Sequence, residues 1–192
     1  MTEILLFHHA QGLTAGVRSF ADEVRAAGHV VHTPDLYDGR TFATIDDGVA
    51  HAKAVGFGLI LDRGMAAAEG LPDHLVYAGF SLGVMPAQKL AQTRSGAKGA
   101  LLFSACFPPE EFGGPWPAGI PVQVHLMEED EWVKEGDLEA ARGLAVSTPN
   151  AELFLYPGDR HLFADKSLHD YDADAAATLM TRVLSFLGRI EP

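Results

Sequence analysis

The chain has 192 residues, 47% of them hydrophobic and 21% charged, and a net charge of −12 from 26 acidic and 14 basic side chains. That length suits one domain with a core large enough to need no disulfide or metal, and the acidic balance argues against nucleic acid or an anionic membrane as partner. No apolar run approaches the roughly 18–20 residues of a membrane span. The start, Met1-Thr2-Glu3-Ile4-Leu5-Leu6-Phe7, has neither the basic stretch nor the cleavage site of a signal peptide. Cys106 is the single cysteine, so no internal disulfide forms, and a reducing compartment, the cytoplasm, is the expected location.

Ile4 to Phe7 reads as a short buried strand and runs into the loop His8-His9-Ala10-Gln11-Gly12. Helical spacing follows, with Val17, Phe20, Ala21, Val24 and Ala27 on one face and Gly28 placed to end it. His29 to Thr33 is a second strand, broken by Pro34-Asp35. Asp46 to Ala68 is broadly helical, with Gly56 and Gly58 as interruptions that divide it.

Leu75 to Ala78 is an apolar strand that ends in Gly79-Phe80-Ser81-Leu82-Gly83, after which Leu82 to Ala91 continues as a helix. A Gly-x-Ser-x-Gly between strand and helix holds the serine at a strained corner with its oxygen above the sheet. The same five residues also suit a plain tight turn; the flanking strand and helix favour the catalytic reading. In that reading Leu82 offers its backbone N–H at a helix N-terminus, where developing negative charge is stabilised.

Further on, Gly99 to Ser104 is a strand and Cys106 to Gly119, rich in proline and glycine, is loop. Pro121 to Met127 is a strand, Leu138 to Val146 a helix, Ala151 to Tyr156 a strand, and Tyr171 to Leu187 the last amphipathic helix. Strands alternating with helices predict an α/β fold with a mainly parallel sheet covered on both faces, over residues 1–192 as a single domain. Such sheets carry their sites at the carboxyl ends of the strands.

A serine hydroxyl needs a base, and the base needs an orienting carboxylate. Of the histidines after Ser81, His125 lies inside an alternating strand and His169 in a polar stretch. His161 follows a strand and the loop Pro157-Gly158-Asp159-Arg160, the position of a base. The acid belongs after the strand ending at Met127, among Glu128, Glu129, Asp130 and Glu131, and spacing does not choose between them.

These residues resemble the dienelactone hydrolase family of α/β-hydrolases in its small, cap-less form. The resemblance is carried by the His9-Ala10-Gln11-Gly12-Leu13 loop, by Ala27 to Tyr37 with its Pro34-Asp35-Leu36-Tyr37, by the serine turn, by Asp130-Glu131-Trp132-Val133, and by Tyr156-Pro157-Gly158 through His161-Leu162-Phe163-Ala164. It implies Asp130 as the acid and a second oxyanion donor at the Ala10 N–H. Two departures stand out. Ser81 replaces the cysteine of the best-known members, and Asp165 occupies the place, four residues after the histidine, where those members bind a substrate carboxylate with arginine. His9 stands where the family has a glutamate. Asp165 is therefore expected to repel a carboxylate at the mouth, and Arg40 is the remaining candidate for an anionic group.

Other candidates are weaker. Cys106 on an apolar run reads as packing. His8 and His9 are adjacent, point to opposite faces of an extended strand and make a poor metal pair, so no metal is expected. The serine turn lacks the lysine of a phosphate-binding loop, so no nucleotide is expected. Phe80, Phe107, Trp116, Trp132 and Phe163 lie near strand ends and suit either pocket or core, with His9, Phe80, Trp132 and Phe163 the candidate substrate pocket. Only about sixteen residues separate Ser104 from Pro121, too few for a helical cap, since helices shorter than about a dozen residues are marginal alone. The expected protein is a cofactor-independent serine hydrolase of small esters or lactones with an open mouth. The rival from another class is a non-catalytic small-ligand-binding protein on the same fold.

Overall fold

The structure is a computed structural model that describes residues 1–134 and 136–190. Its strands are β1 (Glu3–Phe7), β2 (Val30–His32), β3 (Val76–Phe80), β4 (Gly99–Phe103), β5 (Val122–Met127) and β6 (Ala151–Tyr156). Its helices are α1 (Ala15–Ala26), α2 (Ile45–Val55), α3 (Phe57–Ala67), α4 (Val84–Thr93), α5 (Asp137–Ser147) and α6 (Ala173–Arg189). The described strands form one parallel sheet in the order β2-β1-β3-β4-β5-β6. Successive side chains on a strand face opposite ways, so each central strand feeds two cores. Ile4, Leu6, Val76, Ala78, Leu101 and Phe103 pack under α1 and α6. Leu5, Phe7, Tyr77, Ala100 and Leu102 pack with residues of α2, α3, α4 and α5. Burial on both faces is why these strands read as continuous apolar runs rather than alternating ones.

The chain leaves β1 for β2 on one side and returns to β3 on the other, which opens a crevice above the carboxyl ends of β1 and β3. Gly56 (φ 96°) separates α2 from α3, whereas Gly58 lies within the first turn of α3. A tight turn over Ser81–Gly83 precedes α4, so the regular helix begins at Val84 rather than Leu82. The last helix begins at Ala173, because the Asp172 carboxylate accepts the Ala175 N–H as an N-cap. The expected second strand narrows to the three residues of β2 at the sheet edge. The β4–β5 connection is not wholly irregular: it carries a short 3₁₀ turn, Pro109–Phe112. No helix among the described residues is long and apolar enough to cross a membrane.

His125, in β5, is fully buried, with its ring bonded to Gln123 Oε1 (3.2 Å) and the Tyr156 hydroxyl (2.8 Å). Burial, helped by the nearby Arg182 charge, lowers it to about 3. Burial likewise lowers His8 to about 4. Both rings are thus neutral in the fold, while the unfolded chain binds their protons near pH 6.5. Stability they contribute is present above that pH and is lost as pH falls from about 6.5 toward 4, by up to about 1.4 kcal/mol per pH unit for each proton taken up. Urea titrations over that window should show this slope, and His125→Asn should reduce it by about one proton.

Candidate active site

β3 delivers the chain into Ser81 with φ 47°, a left-handed conformation that costs a non-glycine residue about 1–3 kcal/mol. The turn fits only because its flanking glycines lack side chains. A Cβ on Gly79 would lie 2.1 Å from the Gly83 carbonyl oxygen, and one on Gly83 would lie 2.6 Å from the carbonyl oxygens of Phe7 and His8. Ser81 itself is half-buried at the carboxyl edge of the sheet.

His161 reaches Ser81 from the loop after β6. Its Nε2 accepts the Ser81 hydroxyl at 2.8 Å, and its Nδ1–H donates to Asp130 Oδ2 at 2.7 Å. The Ser104 hydroxyl, from the end of β4, donates to the His161 carbonyl and seats the loop. Beyond β5 and β6 the pairing continues, with the Glu128 N–H on Tyr156 O and the Glu129 N–H on Gly158 O, both at 2.9 Å. The carboxylate turn and the histidine loop therefore advance together. Asp130 is 1% exposed, and its second oxygen accepts the Trp132 N–H at 2.9 Å, which fixes the carboxylate plane. Glu128, Glu129 and Glu131 point to solvent, the last two toward Lys134. His169 is fully exposed and His125 is enclosed in the sheet, so neither approaches this arrangement. A hydroxyl, an imidazole and a buried carboxylate in one hydrogen-bond chain can pass the hydroxyl proton to the ring as the oxygen attacks an electrophile.

The expected pocket is only partly found. Trp132 is 46% exposed, with its ring centroid 5.8 Å from that of His161. Phe80 instead packs against Phe20 and Phe103, and Phe163 against Tyr156, all within the α1–α6 core. Phe80 faces that core because strand alternation, not proximity to the strand end, sets its side, whereas Phe163 enters it from the turn after β6. His9 is buried as well. Trp116 lines a separate cavity of about 550 Å³ with Pro108, Pro115, Glu139 and Leu144. Phe107 packs on Phe112.

The expectation for Asp165 is corrected. It is 2% exposed and accepts hydrogen bonds from His9 Nε2–H, Thr14 Oγ–H, and the N–H and hydroxyl of Ser167. Burial alone would raise this carboxyl, but those donors outweigh it and hold it at about 2. Its charge is spent inside the protein and does not face an arriving substrate. Arg40 is exposed on the neighbouring loop.

Three polar contacts escape a reading of the sequence: Ser104 on His161, Thr14 on Asp165, and Asp137 on the Cys106 N–H (2.8 Å). Burial raises the Asp137 carboxyl, opposed by that N–H and by the His161 ring. Burial pushes the Cys106 thiol up to about 12, which keeps it inert. Only Thr14 leaves a trace in the sequence, as an N-cap ahead of an apolar helical face. Among the described residues no group of three or more His, Cys, Asp or Glu side chains is placed to hold a metal ion.

The model of the dienelactone hydrolase family matches residues 1–191. The chain belongs to the dienelactone hydrolase family. Its structure has the α/β-hydrolase fold. A dienelactone hydrolase-like promiscuous phosphotriesterase from metagenomic libraries is 17% identical, with a TM-score of 0.77 over 99% of this chain and 87% of that one. Dienelactone hydrolase from Anabaena variabilis is 16% identical, at TM-score 0.71 over 100% and 88%. Esterase 2 from Thermogutta terrifontis is 20% identical, at TM-score 0.62 over 100% and 85%. No curated protein matches the chain. Membership of the dienelactone hydrolase family supports ester hydrolysis, on small molecules, as the reaction class.

Asp165→Ala should strand several buried donors in this family member and destabilise it by about 3 kcal/mol in chemical denaturation. Asp159→Ala, at an exposed site on the same loop, should stay within about 0.5 kcal/mol of the parent.

Proposed function

We propose that the protein is a serine hydrolase that cleaves small carboxylic esters or lactones through an acyl-enzyme. The observation that carries this reading is the unbroken hydrogen-bond chain from Ser81 through His161 to buried Asp130. Ser81 Oγ attacks the carbonyl carbon while His161 Nε2 takes its proton. The tetrahedral intermediate collapses, the C–O bond breaks, and the imidazolium returns the proton to the departing alkoxide. Water, deprotonated by the same ring, then attacks the acyl-enzyme and releases the acid and Ser81. Asp130 holds the ring with its proton on Nδ1, so that Nε2 is free to accept, and stabilises the imidazolium that forms.

The negative oxygen of the intermediate needs donors aimed in advance. The N–H of Leu82, in the first turn after Ser81, and that of Ala10, after β1, fill that role in this reading. Trp132 is the exposed aromatic beside His161, and the β4–β5 connection supplies a short turn in place of a cap helix. Small acyl groups fit such an open site better than long ones. The net charge of −12 also favours neutral substrates over anionic ones.

An activated short-chain ester should be hydrolysed, with kcat reduced by about 10⁴ or more in Ser81→Ala and in His161→Ala. A fluorophosphonate should label Ser81; labelling elsewhere, or at an unchanged rate in His161→Ala, rejects the assignment. Asp130→Asn should lower kcat by about 10⁴ through the wrong ring tautomer, whereas Glu128→Gln and Glu129→Gln remain near the parent. Sensitivity at Glu128 or Glu129 instead would move the acid to that position.

A further inference from the structure

His8 and His9 are both buried and take no part in the proton relay proposed above, yet each is bonded at both ring nitrogens. His8 Nε2 accepts the Leu36 N–H at 3.0 Å, so the neutral ring carries its proton on Nδ1, which donates to the His9 carbonyl at 2.8 Å. His9 Nδ1 accepts the Gln11 N–H at 3.2 Å, so its proton is on Nε2, which donates to Asp165 Oδ2 at 2.8 Å. Consecutive residues thus hold opposite tautomers, each dictated by a backbone donor.

The consequence falls on Ala10. In a planar trans peptide the carbonyl of His9 and the N–H of Ala10 point in opposite directions. The His9 carbonyl is gripped by His8 Nδ1–H and also by the Gly12 N–H at 3.0 Å. With that oxygen fixed, the Ala10 N–H is aimed the other way. The next peptide is held at its N–H by the His9 ring, and its carbonyl lies against α2, where a Cβ on Gly48 would come within 2.2 Å of Ala10 O. Both peptide planes flanking Ala10 are therefore set before any substrate arrives.

We propose that His8 and His9 are positioning residues, a pair of oppositely tautomeric clamps that aim the Ala10 N–H at the oxyanion. This rests on the hydrolase reading, in which Ala10 is an oxyanion donor. Asp165 then has a purpose beyond packing: it fixes the His9 ring from the loop that carries His161, so that the oxyanion arm and the base share one anchor. Leu36 does the same for His8 from the loop after β2.

Two conservative variants of His8 separate this role from simple packing. In His8→Asn the side-chain N–H₂ takes the place of Nδ1–H and keeps a donor for the His9 carbonyl, while the acceptor for Leu36 is lost. In His8→Gln the amide reaches toward Leu36 and the donor near Cβ is withdrawn. One oxyanion donor is worth about 10²–10³ in kcat, so a misaimed one should leave His8→Gln at least about 10-fold below His8→Asn in kcat for an activated short-chain ester, with similar KM. Equal kcat in the two variants, tracking their melting temperatures, would overturn the clamp. Nitrogen NMR of the unsubstituted protein gives a check free of activity and of variant folding. It should show His8 protonated on Nδ1 and His9 on Nε2, and either opposite tautomer rejects the proposal. Failure of the hydrolase reading would show separately, as ester turnover that Ser81→Ala leaves untouched.

Discussion

Gly83 has no room for a side chain because the carbonyls of Phe7, at the end of β1, and of His8, just after it, lie against it, and most of the site's geometry depends on that contact. The close approach brings the turn that carries Ser81 beside the loop that carries Ala10, across two strands that are neighbours in the sheet. It is possible only where the chain can dispense with Cβ at both Gly79 and Gly83. The backbone strain at Ser81 is held in place by the packing on either side of β3, which is buried throughout, and of α4, which buries one face. A rigid two-sided core thus maintains a locally unfavourable conformation, and the serine oxygen stands clear of the sheet without a mobile loop to carry it.

Around that turn the protein uses buried polar groups in complete sets. Asp130 receives the His161 ring and the Trp132 N–H; Asp165 receives His9, Thr14 and Ser167; His125 is bridged between Gln123 and Tyr156. A buried carboxylate or imidazole left with one partner would cost several kcal/mol, or about 3–5 for a charge, so these sets are kept together or lost together. The two carboxylates have different relations to the surface. Asp130 is separated from the half-buried Ser81 by the His161 ring alone, whereas Asp165 is enclosed by α1 and its own loop, so close to Gly16 that a Cβ there would overlap its carboxylate.

The periodic parts of the fold are legible in the sequence because each strand and helix has a burial pattern of its own. The chain order of the hydrogen-bonded Ser81, Asp130 and His161 likewise follows from where strands end. The choice of Asp130 over its acidic neighbours does not follow from composition or spacing; it depends on one residue of the turn being directed under the histidine loop, and only the family resemblance supplies it in the sequence. Phe80 turns into the core for a related reason: a strand end has two faces, and the sequence names the end without the face; Phe163 does so from a turn, where no periodicity marks a side at all. Asp165 shows the limit most clearly. Its partners His9 and Thr14 are about 150 residues distant in the chain, and nothing local marks the carboxylate as already satisfied.

The placement of Trp132 gives the protein an optical handle on its own chemistry. The chain has two tryptophans, and they occupy contrasting surroundings: Trp116 is enclosed and donates its ring N–H to Ile120 O, while Trp132 stands half in solvent with its indole near the His161 ring. An imidazole that gains a proton becomes an efficient quencher of a neighbouring indole, whereas the neutral ring is a poor one. The emission of Trp132, isolated by replacing Trp116 with phenylalanine, therefore reports the charge on His161 directly. Under the proposed mechanism, the same signal would follow that ring through pre-steady-state turnover without any added label.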